Sequence, residues 1–102
     1  MMRVIWSEES LQQLEDIRHY ISKENPKAAT ALIRRLIERG ERLSIAAARG
    51  RRVPEYPESE LRELFERPYR LIYRIDQSKG EVQIQTIFHY RQIIEKRPGR
   101  SG

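Results

Sequence analysis

The sequence predicts an α+β fold in the order β-α-α-β-β-β, with a helical hairpin packed on one face of a small antiparallel sheet. Three observations support this prediction. A short β-prone start is followed by two segments that carry apolar residues every three or four positions. Two alternating runs then flank a polar hexapeptide that contains glycine, which is typical of an antiparallel hairpin. A further strand-like segment precedes this hairpin, so three consecutive strands should form a meander.

The first strand is predicted at residues 3–6, directly before the first helix. Ser7 has the side chain of a helix N-cap, and this helix is expected to end near Lys23. Its apolar side consists of Leu11, Leu14, Ile17 and Ile21.

The second helix is predicted to start at Asn25 and Pro26, with asparagine as the cap and proline at the first helical position. Gly40 lies on its apolar side, where we expect it to allow close approach of the first helix. The helix should fade near residues 46–48 and stop before Gly50. Its apolar positions are Ala29, Leu32, Ile33, Leu36, Ile37, Leu43 and Ala47.

Three strands are predicted in the second half, at residues 61–66, 69–75 and 82–91, with a loop at 76–81 between the last two. The N-terminal strand should join this meander at an edge or in the centre. One sheet face carries aliphatic and aromatic residues and packs on the helices. The other face carries Arg, Gln and His, and it is predicted to be open to solvent.

The register of the last hairpin decides which polar residues meet. If Ile75 pairs with Val82, Arg70 lies opposite Ile87, and His89 is diagonal to it on the same face. The same register places Arg74 opposite Gln83. The predicted polar cluster consists of Arg70, Arg74, His89 and Arg91.

This cluster has three interpretations. Arginine forks bind phosphate or carboxylate in a bidentate manner, so the cluster could be an anion-binding surface. A nuclease is a sharper version, with His89 as general acid or base and Arg70 stabilising negative charge on phosphorus. A solvated face, on which arginine stems cover apolar surface, is the third.

Composition limits the classes of function. The chain has 102 residues, no cysteine, 34% charged residues and a net charge of +5, which favours an acidic partner such as nucleic acid or an acidic protein. Solubility alone could also explain that charge. The two histidines, His19 and His89, lie on different elements and there is no cysteine, so no metal is expected. The sequence has no Gly-rich phosphate loop, and no other cofactor is expected. The apolar start is too short for a signal peptide or a membrane span, which predicts a cytoplasmic protein.

Several motifs in their order resemble the ParE/RelE toxin superfamily over residues 3–92, which indicates a single domain at 1–92 and a basic tail at 93–102. Each motif is weak alone, but their spacing together is fairly specific. The motifs are Trp6-Ser7, Leu14-Glu15-Asp16-Ile17, Asn25-Pro26-Lys27-Ala28-Ala29, Gly50-Arg51-Arg52-Val53-Pro54-Glu55, Leu61-Arg62-Glu63-Leu64, Tyr69-Arg70-Leu71-Ile72-Tyr73-Arg74-Ile75 and Phe88-His89-Tyr90-Arg91.

The resemblance implies the toxin of a type II toxin–antitoxin system, of the kind also linked to plasmid stabilisation. A cognate antitoxin, expected to be ParD-like with an acidic segment, would form a hetero-oligomer with it. RelE-like members cleave mRNA on the ribosome, whereas ParE-like members inhibit DNA gyrase without nuclease activity. An inactive toxin homologue is a further alternative.

Carried over to this sequence, Arg70 matches the arginine on the central strand of RelE-like nucleases, and Arg91 matches the arginine after the last strand. The lysines expected on the preceding strand are replaced by Leu61 and Glu63, and the tail lacks a tyrosine. His89 partly matches the nucleases that use histidine.

The opening of the second helix and the motif at residues 61–64 look more ParE-like. We therefore expect a gyrase inhibitor without catalytic residues; under the nuclease alternative, the catalytic residues would be Arg70, His89 and Arg91. The residues predicted to contact a partner are Arg62, Arg70, Arg74, His89, Tyr90 and Arg91.

Overall fold

Two helices pack on a five-stranded sheet in the computed structural model, which describes residues 1–91. The α+β prediction is therefore confirmed. Neither helix in this part of the chain is long and apolar enough to cross a membrane. The predicted basic tail lies outside the described residues. The elements are β1 (Arg3–Trp6), α1 (Glu8–Ser22), α2 (Pro26–Glu41), β2 (Arg51–Arg52), β3 (Arg62–Glu66), β4 (Tyr69–Asp76) and β5 (Glu81–His89).

The sheet is mixed, with the strand order β1-β5-β4-β3-β2. The predicted meander of β3, β4 and β5 is confirmed as antiparallel. The prediction of a wholly antiparallel sheet is wrong, because the edge strand β1 runs parallel to β5. Parallel strands need a long crossover, and the chain between β1 and the meander contains both helices, which provide it. The two-residue strand β2 at the other edge was not predicted.

Both predicted helix caps are present. The Ser7 side chain accepts a hydrogen bond from the Ser10 backbone N–H at 2.9 Å, and the Asn25 side chain accepts one from Ala28 at 3.0 Å. The α2 helix ends at Glu41, earlier than predicted, and two 3₁₀ turns follow at Arg42–Ser44 and Ala47–Arg49. The tighter turns bring the chain to the sheet edge, where the Ser44 carbonyl accepts a bond from the Met2 N–H.

Gly40 does allow a close approach, but not of helix α1 as predicted. A Cβ atom built on Gly40 would lie 2.5 Å from Cζ2 of Trp6 and 2.9 Å from Cδ1 of Ile84. The indole of Trp6 therefore occupies the space that a side chain at this position would need. Its Nε1–H donates a hydrogen bond to Glu41 at 2.7 Å, which holds the ring against α2.

The sheet has apolar residues on both faces. The core towards the helices is centred on Leu36, Leu43, Leu71 and Tyr73. On the outer face, a loop at residues 53–61, here called the covering loop, buries a second cluster. That cluster consists of Val53, Leu61 and Ile72, with Tyr56 and Phe88 packed against it. The prediction that the outer face is open is therefore wrong over this half of the sheet.

A β-bulge at Gln85 changes which side of β5 faces the helices. Ile75 pairs with Val82 and Arg74 pairs with Gln83, both as predicted. Beyond the bulge, Arg70 pairs with Phe88 instead of Ile87. An extra residue reverses the alternation of all side chains that follow it.

Candidate functional site

Arg70, predicted to be an exposed cation, is buried on the outer sheet face with only 5% of its surface exposed. Its Nε donates to Oε1 of Glu63 at 2.7 Å. Its Nη1 and Nη2 donate to the two carboxylate oxygens of Glu55, each at 2.8 Å. All three nitrogens of the guanidinium are therefore bound to carboxylates from the same chain.

These partners are positioned by two different parts of the fold. Glu63 lies on β3, paired with Ile72 of the central strand, and is only 1% exposed. Its second carboxylate oxygen accepts a hydrogen bond from Nε of Arg51 on β2 at 2.7 Å. Glu55 belongs to the covering loop. We call Arg51, Glu55, Glu63 and Arg70 the charge network; its two cations and two anions sum to zero.

Electrostatics keep the central pair ionised. Hydrogen bonds from Arg70 lower the pKa of Glu55 below its ordinary value of 4.5, although partial burial opposes this shift. The same bonds to Glu55 raise the pKa of Arg70 above its already high value, against the opposing effect of burial. Arg70 therefore stays protonated near neutral pH. It cannot act as a general acid or base there, but it can bind anions.

His89 lies on the opposite side of the sheet from Arg70. It pairs with Tyr69, and the neighbouring pair of Leu71 with Ile87 on the same face packs towards the helices. The imidazole meets the Tyr69 ring edge-on, with centroids 5.6 Å apart, and stacks on Tyr90 at 5.3 Å. The prediction that Arg70 and His89 share one face is therefore wrong, because of the bulge at Gln85.

Tyr90 and Arg91 complete a group at the end of β5 that we call the aromatic end: Tyr69, His89, Tyr90 and Arg91. The Arg91 guanidinium lies 5.6 Å from the centre of the Tyr90 ring. Tyr90 is 42% exposed, and Arg91 is exposed as well. The structure thus brings together three of the predicted partner-binding residues, and Arg70 is not among them.

The remaining two predicted partner residues lie on different faces. Arg62 pairs with Tyr73, which faces the helices, and its Nη1 donates to the Gly50 carbonyl at 2.7 Å. Arg74 lies on the outer face opposite Gln83, half-exposed and 3.9 Å from Asp76. Their predicted role in partner binding stays a prediction.

Sequence reasoning missed both glutamates of the charge network as partners of Arg70. A signal was present: Glu63 stands where the resemblance leads one to expect a lysine, directly before the apolar pair Leu64 and Phe65 of the strand. A carboxylate in that setting needs a cation beside it. Within residues 1–91, no group of three potential metal ligands comes together.

Comparison with known proteins gives a consistent result. The family model described as "ParE toxin of type II toxin-antitoxin system, parDE" matches residues 4–94. The Sinorhizobium fredii protein named "Putative toxin Y4kP" is 32% identical over 92 residues, which cover 88% of this chain and 90% of that protein.

Two solved structures share the fold. One is a chain of the chromosomal ParDE toxin–antitoxin system from P. aeruginosa, with a TM-score of 0.68 and 26% identity; the match covers 87% of this chain and 96% of that one. The other is a chain of the RelBE2 toxin–antitoxin complex from Mycobacterium tuberculosis. Its TM-score is 0.61 at 22% identity, covering 86% of this chain and 90% of that one.

Proposed function

Because this chain belongs to the ParE toxin family of type II toxin–antitoxin systems, we propose that it inhibits growth by binding DNA gyrase. We further propose that a cognate antitoxin neutralises it. The observation that supports binding over RNA cleavage is the environment of Arg70, the residue that resembles the central arginine of RelE-like nucleases. Its guanidinium is occupied by Glu55 and Glu63.

A nuclease needs its cationic and acid–base groups around one phosphate. Transition-state stabilisation depends on donors that already point at the position where charge develops. Here Arg70 and His89 lie on opposite faces of the sheet, and the Arg70 side chain is only 6% exposed. This arrangement favours a role of Arg70 in the fold.

The aromatic end favours a second candidate function, ribosome-dependent cleavage of mRNA. The Tyr90 ring contacts both the His89 imidazole and the Arg91 guanidinium. Aromatic and arginine side chains of this kind can stack on RNA bases. A cleavage mechanism at this end would have to proceed without Arg70.

An antitoxin partner is proposed because the matching family is that of the ParE toxin of type II toxin–antitoxin systems. An acidic segment would complement the net charge of +5. Exposed apolar side chains on the two helices, Leu11, Tyr20 and Ile37, offer it contact area. Binding to the native state should raise the melting temperature of the toxin; equal midpoints with and without antitoxin would contradict this proposal.

Two assays on the purified chain separate the candidate functions. One follows supercoiling of relaxed plasmid by gyrase; the other follows cleavage of ribosome-bound message. We expect inhibition of supercoiling that added antitoxin reverses, and intact mRNA. Cleaved message with normal supercoiling would overturn the gyrase proposal and establish the nuclease candidate.

A further inference from the structure

Arg70 binds Glu55 in the geometry with which arginine binds free oxyanions. Two parallel N–H···O bonds of 2.8 Å join the guanidinium to both oxygens of one carboxylate. Phosphates and free carboxylates are recognised by the same fork. In this chain, the oxyanion is supplied by a loop that lies over the sheet.

Glu63 holds the Arg70 guanidinium in place through Nε and Nη2. Oε1 of Glu63 lies 2.7 Å from Nε and 2.6 Å from Nη2 of Arg70, and the Glu63 side chain has no exposed surface. Arg51 binds the other Glu63 oxygen. Without Glu55, the three remaining groups of the network would carry a net charge of +1. Nη1 of Arg70 would then have no carboxylate partner, and Nη2 would keep only Glu63.

Of the two carboxylates that bind Arg70, Glu55 is the more exposed. Its side chain is 30% exposed, whereas that of Glu63 has no exposed surface. The two ends of the covering loop, Val53 and Leu61, pack against Ile72 of the sheet, and the Val53 N–H donates to the Leu61 carbonyl, which holds these ends together. Removing the Glu55 carboxylate should therefore open the site while leaving those contacts in place.

We infer that Arg70 forms an oxyanion-binding site which the chain fills with its own Glu55, so that the covering loop acts as a plug. The ligand class is a carboxylate or a phosphate group. An external oxyanion can reach the fork only when Glu55 is absent or displaced. This inference does not depend on the target of the toxin.

Chemical rescue of Glu55→Ala tests it. The substitution removes the plug, and we expect a fall in melting temperature of about 4–8 °C, the change typical of one lost interaction in a domain of this size. Inorganic phosphate or acetate should restore much of this loss. Sodium chloride at the same ionic strength should not, because screening alone provides no fork ligand.

Two further variants serve as matched controls. Glu55→Gln leaves an amide in the site, so it should lose some stability and gain none from phosphate. Glu58→Ala removes a carboxylate of the same loop that is not bound to Arg70, and should behave as the unmodified chain does. Hydrogen exchange should show faster exchange at residues 53–61 in Glu55→Ala, slowed again by phosphate.

Each outcome of these stability measurements either supports or overturns the inference. Selective rescue of Glu55→Ala by phosphate or acetate supports the plugged site, as does folding of that variant only in the presence of these anions. Equal stabilisation of all four proteins by phosphate, or no effect on Glu55→Ala, overturns it. If Glu55→Ala remains unfolded in every salt, Glu55→Ser replaces it, and a lack of rescue there also overturns the inference.

Discussion

Arg70 and Glu55 form a bidentate ion pair that joins the central strand to the covering loop, with both N–O distances at 2.8 Å. The pair lies over the outer face of the sheet beside the apolar cluster of Val53, Leu61 and Ile72. It converts an arginine that would otherwise be an exposed cation into a structural residue.

Replacing Arg70 by alanine should lower the free energy of unfolding by about 3–5 kcal/mol, because it leaves a buried carboxylate at Glu63 without its closest cation. Arg74→Ala is the matched control on the same strand and face. Its side chain is 38% exposed and lies 3.9 Å from Asp76, so the loss should be under about 1 kcal/mol. Urea unfolding monitored by circular dichroism measures both. Equal losses would contradict the structural role of Arg70.

Stability should fall on acidification through the Glu55 carboxyl. Because Arg70 holds the folded-state pKa of Glu55 below 4.5, the contribution is complete above the unfolded-state pKa and is lost as pH falls through the folded-state value. The difference in unfolding free energy between the unmodified chain and Glu55→Gln should therefore be constant near neutral pH and shrink below pH 4.5. A difference that is independent of pH down to strongly acidic conditions would refute this.

The hydroxyl of Tyr73 connects the sheet to the segment before β2. It donates to the Ala47 carbonyl at 2.6 Å and accepts from the Gly50 N–H at 2.8 Å. Tyr73→Phe leaves that N–H buried without a partner, so thermal or urea unfolding should show a loss of about 1–3 kcal/mol. Tyr20→Phe is the control, since Tyr20 is 72% exposed; its effect should stay within about 0.5 kcal/mol. Similar values for both variants would argue against the role of the Tyr73 hydroxyl.

Gln13 binds the edge of β5 beyond the bulge, where β5 is no longer paired with β1. Its amide oxygen accepts from the Ile87 N–H at 2.6 Å, and its amide nitrogen donates to Thr86 at 2.8 Å. Gln13→Ala should speed hydrogen exchange at Ile87 and cost about 1–3 kcal/mol. Gln12→Ala removes only an exposed contact to Asp16, worth roughly 0.2–0.5 kcal/mol. Unchanged exchange at Ile87 in Gln13→Ala would contradict this account of the edge.

Local patterns were sufficient for the helices and strands. The caps at Ser7 and Asn25 and the alternation around Tyr73 act over a few residues, so the chain order and most boundaries could be predicted. The direction of β1 and the length of α2 could not, because both depend on where the chain meets the sheet edge. The Ser44 carbonyl, for example, is bound to the N–H of Met2.

The candidate site was harder to predict, because a single bulge decides its geometry. An unbroken alternation predicts that His89 shares a face with Arg70, and nothing in the local sequence marks Gln85 as the extra residue. The burial of Arg70 depends on contacts with Glu55 and Glu63, fifteen and seven residues away in sequence. Such pairings become visible only when the loop is placed on the sheet.

The most direct measurement of the central claim is gyrase supercoiling inhibited by the unmodified chain and by Arg70→Lys. Lysine keeps a cation beside Glu63 but lacks the fork, and the folded fraction is measured by circular dichroism. If Arg70 is structural in a toxin that acts by binding, inhibition per folded molecule should agree within about threefold, since tenfold corresponds to about 1.4 kcal/mol. Absence of inhibition by the unmodified chain, together with mRNA cleavage that Arg70→Lys abolishes while folded, would contradict the account.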